Sequence, residues 1–147
     1  RTRVQGYSGT ADHRYTGELA SLLPVPVVAS GDIFSPEAAH SVLSSTGCAA
    51  VMFARGAMGN PFIFKESRDY LEKGSWTPVP VSQRLAKGLH QLELLASDIG
   101  EELACREMRK HFCAYTKGVT GGAALRNALV HAVSIEEYKK ILAADLS

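Results

Sequence analysis

Two short stretches carry the residue types that grip a phosphate: Ser30-Gly31-Asp32 and Ala54-Arg55-Gly56. Glycine lets backbone N–H groups approach phosphate oxygens with no Cβ in the way, and Arg55 brings a planar fork that can meet two oxygens at once. Asp32 suits another task, because a carboxylate repels phosphate. It is expected to hold its loop by accepting from backbone N–H groups, or to accept from a ligand hydroxyl. A single glycine after a strand is ordinary turn chemistry. Two such turns in consecutive units are what a (β/α)8 barrel uses, since the loops after its last two strands frequently build its phosphate site.

A second chemistry is concentrated further along. Between Leu103 and His131 the ionisable residues are Arg106, Arg109, Lys110, Lys117 and Arg126 against Glu107 alone, a local charge of +4 in a chain whose total is +1. Basic residues on helices are commonly no more than a solvated face, and a nucleic-acid phosphate footprint is the alternative. Cys48, Cys105 and Cys113 form no C-x-x-C pair and have no histidine at zinc-ligand spacing. They read as reduced thiols of an intracellular, cytoplasmic protein, and no metal is expected.

The elements that must position these groups follow from pattern. The 147 residues are 46% hydrophobic and 21% charged, ordinary for a soluble protein. No apolar run is long enough to cross a bilayer, so no membrane partner is expected, and the first residue is Arg rather than Met, which suggests a chain that starts in mid-protein. Tyr15 to Leu23 has helical periodicity and stops at Pro24 and Pro26. Val25–Ala29 and Cys48–Phe53 are short, continuous apolar runs, expected as strands buried on both faces of a parallel sheet. Between them Ser35 and Pro36 start a helix that ends near Thr46-Gly47, and a helix over 61–71 is expected to bury Phe62, Ile63, Phe64 and Leu71. This strand and helix alternation implies βαβ crossovers.

Composition changes at Trp76-Thr77-Pro78-Val79-Pro80, a proline-stiffened link. Beyond it only helical periodicity remains, over 82–99, 101–117 and 123–132, and a last helix opens with the capping box Ser134-Ile135-Glu136-Glu137. The fold class is therefore α/β: the C-terminal part of a TIM barrel over residues 1–75, followed by a small all-helical bundle over 76–147.

Three runs in this order carry a family likeness. Arg1-Thr2-Arg3-Val4-Gln5-Gly6-Tyr7 with Gly9, Ala11 and Asp12, then Pro26-Val27-Val28-Ala29-Ser30-Gly31-Asp32-Ile33, then Val51-Met52-Phe53-Ala54-Arg55-Gly56-Ala57-Met58-Gly59-Asn60-Pro61, resemble the tRNA-dihydrouridine synthases, and the likeness continues to Arg109-Lys110-His111 and Tyr115. The resemblance implies an FMN enzyme that reduces the C5=C6 bond of uridines in tRNA with NADPH as reductant. By the same resemblance Ser30, Gly31 and Asp32 contact the flavin or its ribityl chain, Ala54 and Arg55 hold its phosphate, and Arg109, Lys110 and His111 face the tRNA. The chain is then expected to begin after strand six, with the catalytic cysteine upstream. Reduction inside a folded tRNA also requires the base to leave its stack. This chain departs from the family in having Ser30 for the usual Asn, Ala54 for the usual Gly and His13 for an aromatic, and the first two bear on cofactor affinity. Two other readings remain open: a different FMN or phosphate-binding barrel oxidoreductase, and a stand-alone RNA-binding module without catalysis.

Overall fold

In the computed structural model, which describes residues 1–145, the helix α1 (Arg14–Leu22) leads to a two-stranded parallel sheet. Strand β1 (Val28–Ser30) pairs with β2 (Ala50–Met52) in the register Val28↔Ala50, Ala29↔Val51 and Ser30↔Met52. Helix α2 (Pro36–Thr46) is the crossover between them. It starts where Ser35 Oγ accepts from the Ala38 amide at 3.1 Å with Pro36 in the first turn, and stops at Gly47, whose N–H returns to the Leu43 carbonyl. A short 3₁₀ turn, Arg55–Ala57, follows β2, and α3 (Ile63–Lys73) follows that. Four further helices complete the order: α4 (Val81–Ile99), α5 (Glu101–Tyr115), α6 (Gly122–His131) and α7 (Ile135–Asp145). The described residues are thus mostly helical with one small sheet.

Contacts divide the chain into two compact units: residues 1–57 with 62–78, and residues 58–61 with 79–147. The first holds a modest core of Ala29, Ile33, Ala39, Val42 and Cys48. Here both strands depart from expectation. Only Ala29 of β1 is buried, Val28 and Met52 are each 54% exposed, and β2 has no fully buried residue. A strand is covered on both faces only when helices lie against both, and among the described residues the sheet has such cover on one face alone. Helix α3 likewise buries Ile63 but leaves Phe64 and Leu71 exposed, and turns Glu66 and Ser67 inward instead. Phe64 meets Phe53 edge-on, with ring centroids 5.3 Å apart.

The second unit has the larger apolar centre. Leu85 and Leu92 of α4 lie two turns apart, and Cys105, Met108, Phe112 and Tyr115 of α5 recur at three- and four-residue steps, so each helix turns one stripe inward. Leu125 and Leu129 of α6 and Tyr138 and Leu142 of α7 close the core. Phe112 stacks on Tyr138 at 4.9 Å, and the buried Tyr138 hydroxyl is satisfied by donating to the Cys105 carbonyl. Ser134 caps α7 by accepting from the Glu137 amide, while Glu137 accepts from the Val133 amide, one residue short of the reciprocal bond a capping box makes. Residues 58–61 belong to this unit although they lie between β2 and α3 in sequence. Gly59 is buried there, and a Cβ on it would fall 2.3 Å from the Ala114 carbonyl carbon, so only glycine permits the approach.

Candidate functional site

Because β1 and β2 are parallel neighbours, Ser30-Gly31-Asp32 and Ala54-Arg55-Gly56 both follow the C-terminal ends of adjacent strands, where ligands of α/β sheets bind. The two turns are packed backbone to backbone. A Cβ on Gly56 would sit 2.2 Å from the Ile33 carbonyl oxygen, and one on Gly31 would sit 2.8 Å from Ala11 Cβ. Asp32 has a positive φ of 52°, a region that aspartate tolerates better than most residues.

Asp32 is the hub of the pair. Its Oδ2 accepts from Arg1 Nη2 and, at 2.8 Å, from the Ala11 amide, while its Oδ1 accepts from Arg55 Nη2 at 3.0 Å. The Arg1 hydrogen bond, followed by the Ala11 amide, holds the Asp32 carboxyl below its usual range. Arg55 lies over the Tyr7 ring at 4.6 Å and the Phe34 ring at 5.3 Å, yet its side chain is 41% exposed. Two guanidiniums against one carboxylate leave a net positive cluster, with N–H groups still free to donate outward. Ser30 and Ala54 are exposed beside it, and the Ala54 carbonyl accepts from the Ala57 amide to close the 3₁₀ turn.

A cavity of about 580 Å³ opens next to these turns, bordered by Arg1, Thr2, Gln5, Asp12, His13 and Ser30. His13 donates from Nε2 to the Gly31 carbonyl at 2.9 Å, a bond that sets its tautomer because a carbonyl only accepts. Arg14 binds both oxygens of Asp12 and draws that carboxyl down to about 2. Asp32 and Arg55 are the residues singled out by type in the sequence, and the structure sets Arg1, Tyr7, His13 and Phe34 around them, none of which the sequence assigns a role of its own. The aromatic partners of Arg55 lie 48 and 21 positions away from it, and no local spacing signals such a clamp.

In the second unit Arg109, Lys110 and His111 are consecutive on α5 and therefore point about 100° apart in turn. They do not share one face. Lys110 is exposed, whereas Arg109 and His111 are half-buried and Arg109 Nε is buried without a hydrogen-bond partner. Burial pushes the neighbouring Tyr138 hydroxyl up to about 12 and raises the Cys105 thiol. Cys48 and Cys105 are buried and Cys113 is exposed, all three as free thiols. Among the described residues no three His, Cys, Asp or Glu side chains gather into a metal-binding group, and no helix is long and apolar enough to cross a membrane.

Residues 1–146 match the family described as dihydrouridine synthase (Dus). The chain is 43% identical over 146 residues to a probable tRNA-dihydrouridine synthase of Treponema pallidum, covering 97% of this chain and 43% of that protein. It is 37% identical over 143 residues to probable tRNA-dihydrouridine synthase 1 of Synechocystis, covering 97% and 40%. With tRNA-dihydrouridine synthase B of Xanthomonas campestris it shares 38% identity over 146 residues, covering 99% and 44%. The chain therefore spans about two fifths of the length of these relatives.

Proposed function

The chain belongs to the dihydrouridine synthase family, and from that premise we propose that it supplies the flavin-phosphate end and the RNA-binding helices of a tRNA-dihydrouridine synthase. In this reading residues 1–75 are the last part of an FMN-binding TIM barrel and residues 76–147 a helical tRNA-binding domain. The observation that carries it is the joining of both glycine turns through Asp32 and Arg55 in a chain matched along nearly its whole length by that family. The tRNA substrate supports a cytoplasmic setting.

The residues present suit the phosphate of FMN. Arg55 offers a pre-oriented, partly exposed guanidinium, its charge only partly offset because Asp32 is shared with Arg1. Gly31 and Gly56 let the surrounding chain close tightly beside it, Ser30 adds an exposed hydroxyl, and Ala54 precedes the arginine at the turn. When bound, FMN supplies the hydride chemistry that reduces the C5=C6 bond of a uridine, with NADPH as the reductant. The chain's own part is to hold and orient. Asp32 and the Tyr7 and Phe34 rings fix Arg55, and His13 fixes the Gly31 carbonyl, so that donors stand ready before the ligand arrives. Arg109, Lys110 and His111 contribute to the tRNA surface, with Lys110 the most accessible.

The test is Arg55→Ala in the full-length protein. A charge-assisted hydrogen bond is worth about 1.5–3 kcal/mol, so FMN retained on purification should fall roughly tenfold or more, with dihydrouridine in tRNA falling alongside. Undiminished flavin occupancy would remove Arg55 from the phosphate site. A protein that binds tRNA but never flavin would favour the RNA-binding module, and one that reduces other substrates but not tRNA would favour a different FMN oxidoreductase.

A further inference from the structure

The end of α5 carries more positive charge than a helix end needs. Arg84 of α4 donates from Nη2 to the Lys117 carbonyl at 3.0 Å, and Arg126 of α6 donates from Nη1 to the adjacent Thr116 carbonyl at 3.2 Å. Lys117 itself is exposed. Three cations from three parts of the unit thus converge on one loop, and none of them pairs with a carboxylate among the described residues, where the unit's ion pairs are Lys139–Glu93 and Lys140–Glu136. A helix C-terminus offers roughly half a negative charge. One arginine would answer it, and here there are two together with a lysine, while Arg84 Nε is buried without a partner.

The loop is shaped for a visitor. A Cβ on Gly122 would fall 2.8 Å from the Thr116 carbonyl oxygen and 3.3 Å from Arg126 Nη1, so the missing side chain is what lets the guanidinium reach its place. Gly118 and Gly121 have nothing within 4 Å of an added Cβ, which leaves bare backbone facing open space, and the Thr120 side chain between them is exposed. Donors surround the loop, and among the described residues none of its cations is tied to a carboxylate, unlike Arg1 and Arg55 at Asp32.

We propose that the loop 117–122, with Arg84 and Arg126, binds a backbone phosphate of RNA. The site rests on the reading of the helical unit as RNA-binding and extends it to residues away from Arg109, Lys110 and His111. Arg84 and Arg126 are held on backbone carbonyls and serve the site through their charge, so it anchors the RNA at a phosphate without selecting its sequence.

The experiment uses the 147-residue chain and an unmodified tRNA transcript, with binding followed by fluorescence anisotropy across a salt series. Lys117 is exposed and its side chain is in no ion pair among the described residues, so Lys117→Gln tests the charge while keeping the backbone carbonyl that Arg84 binds. It should weaken binding roughly three- to tenfold near ~0.1 M salt and lower the slope of log K against log salt by about 0.7–0.9. Arg126→Gln should do at least as much, and Lys140→Gln, which changes net charge equally on α7, should bind nearly as the parent chain does. If the parent chain binds while Lys117→Gln and Arg126→Gln bind equally well, the site is wrong and the RNA-binding reading stands. Equal losses in Lys117→Gln and Lys140→Gln would point to diffuse charge and also overturn the site. If the parent chain binds no tRNA, the reading of the helical unit falls and the site falls with it. Should Arg126→Gln lower the melting temperature, Lys117→Gln decides.

Discussion

Asp32 shows how far one residue's environment can redirect its role. Both of its oxygens are occupied by the chain's own donors, so its chemistry runs through Arg55. Asp32→Asn keeps an acceptor for the Ala11 amide but removes the charge that holds Arg55. In the full-length protein it should weaken FMN binding while leaving riboflavin, which lacks the phosphate, almost unaffected; equal loss of both ligands would mean a direct ribityl contact instead. Asp69 offers a test in pH. Lys65 and Lys73, at i±4, draw its carboxyl from the usual 3.8 to about 2. A carboxyl whose folded pKa is depressed contributes stability above its unfolded pKa and loses it as pH falls through the folded one. The contribution should therefore be complete above pH ~4 and fade toward pH ~2. Melting curves of the parent and Asp69→Asn should differ at pH 6 and converge at low pH. Arg55 stands out in the sequence because a guanidinium beside glycine suits a phosphate, and Asp32 because a carboxylate there suits holding its own loop, as its bond from the Ala11 amide does. Their union does not, since 23 positions separate them and a contact of that kind leaves no periodic trace.

At the scale of elements, helix ends were the most legible features. Ser35 with Pro36 starts α2, and Gly47 and Gly74 end α2 and α3, because capping is a local bargain between a side chain or a bare backbone and the orphan groups of the helix. The strands were legible in place and misjudged in cover. Val28 and Met52 are apolar and exposed, which sequence cannot signal, because whether a strand face is covered depends on what else lies against it. The packing of the two turns gives a prediction of its own. With a Cβ 2.2 Å from the Ile33 carbonyl, Gly56→Ala must push the turns apart, at a cost of about 1–3 kcal/mol. Gly47→Ala, where nothing lies within 4 Å of the added atom, strains only its own backbone. Thermal denaturation should place Gly56→Ala below Gly47→Ala, and the reverse order would mean that the two turns yield easily.

For the whole molecule, stability is unevenly shared. The first unit's core is made largely of small side chains, whereas Phe112 stands at the centre of the second, fully buried between Tyr115 and Tyr138. Phe112→Ala should cost about 3–5 kcal/mol, read as a lowered denaturation midpoint, and retention of the parent midpoint would place the stabilising core elsewhere. With only two strands in the sheet, each has an edge without a partner among the described residues, and on the proposed reading a flavin site built on a closed barrel would be incomplete in this chain alone. The 147-residue chain alone should not copurify with FMN, and a flavin absorbance band at ~450 nm in the purified chain, set against the usual demand for a preorganised site, would contradict this. Residues 58–61 add a constraint of another kind. They fill the space beside Ala114 and Tyr115, yet they are encoded before α3 and the proline link. A gene fusion joined within Trp76–Pro80 would carry α4 to α7 away without that tetrapeptide and leave a gap where Gly59 had been. The helical unit is thus not continuous in sequence, because a buried part of it is encoded directly after the turn that carries Arg55.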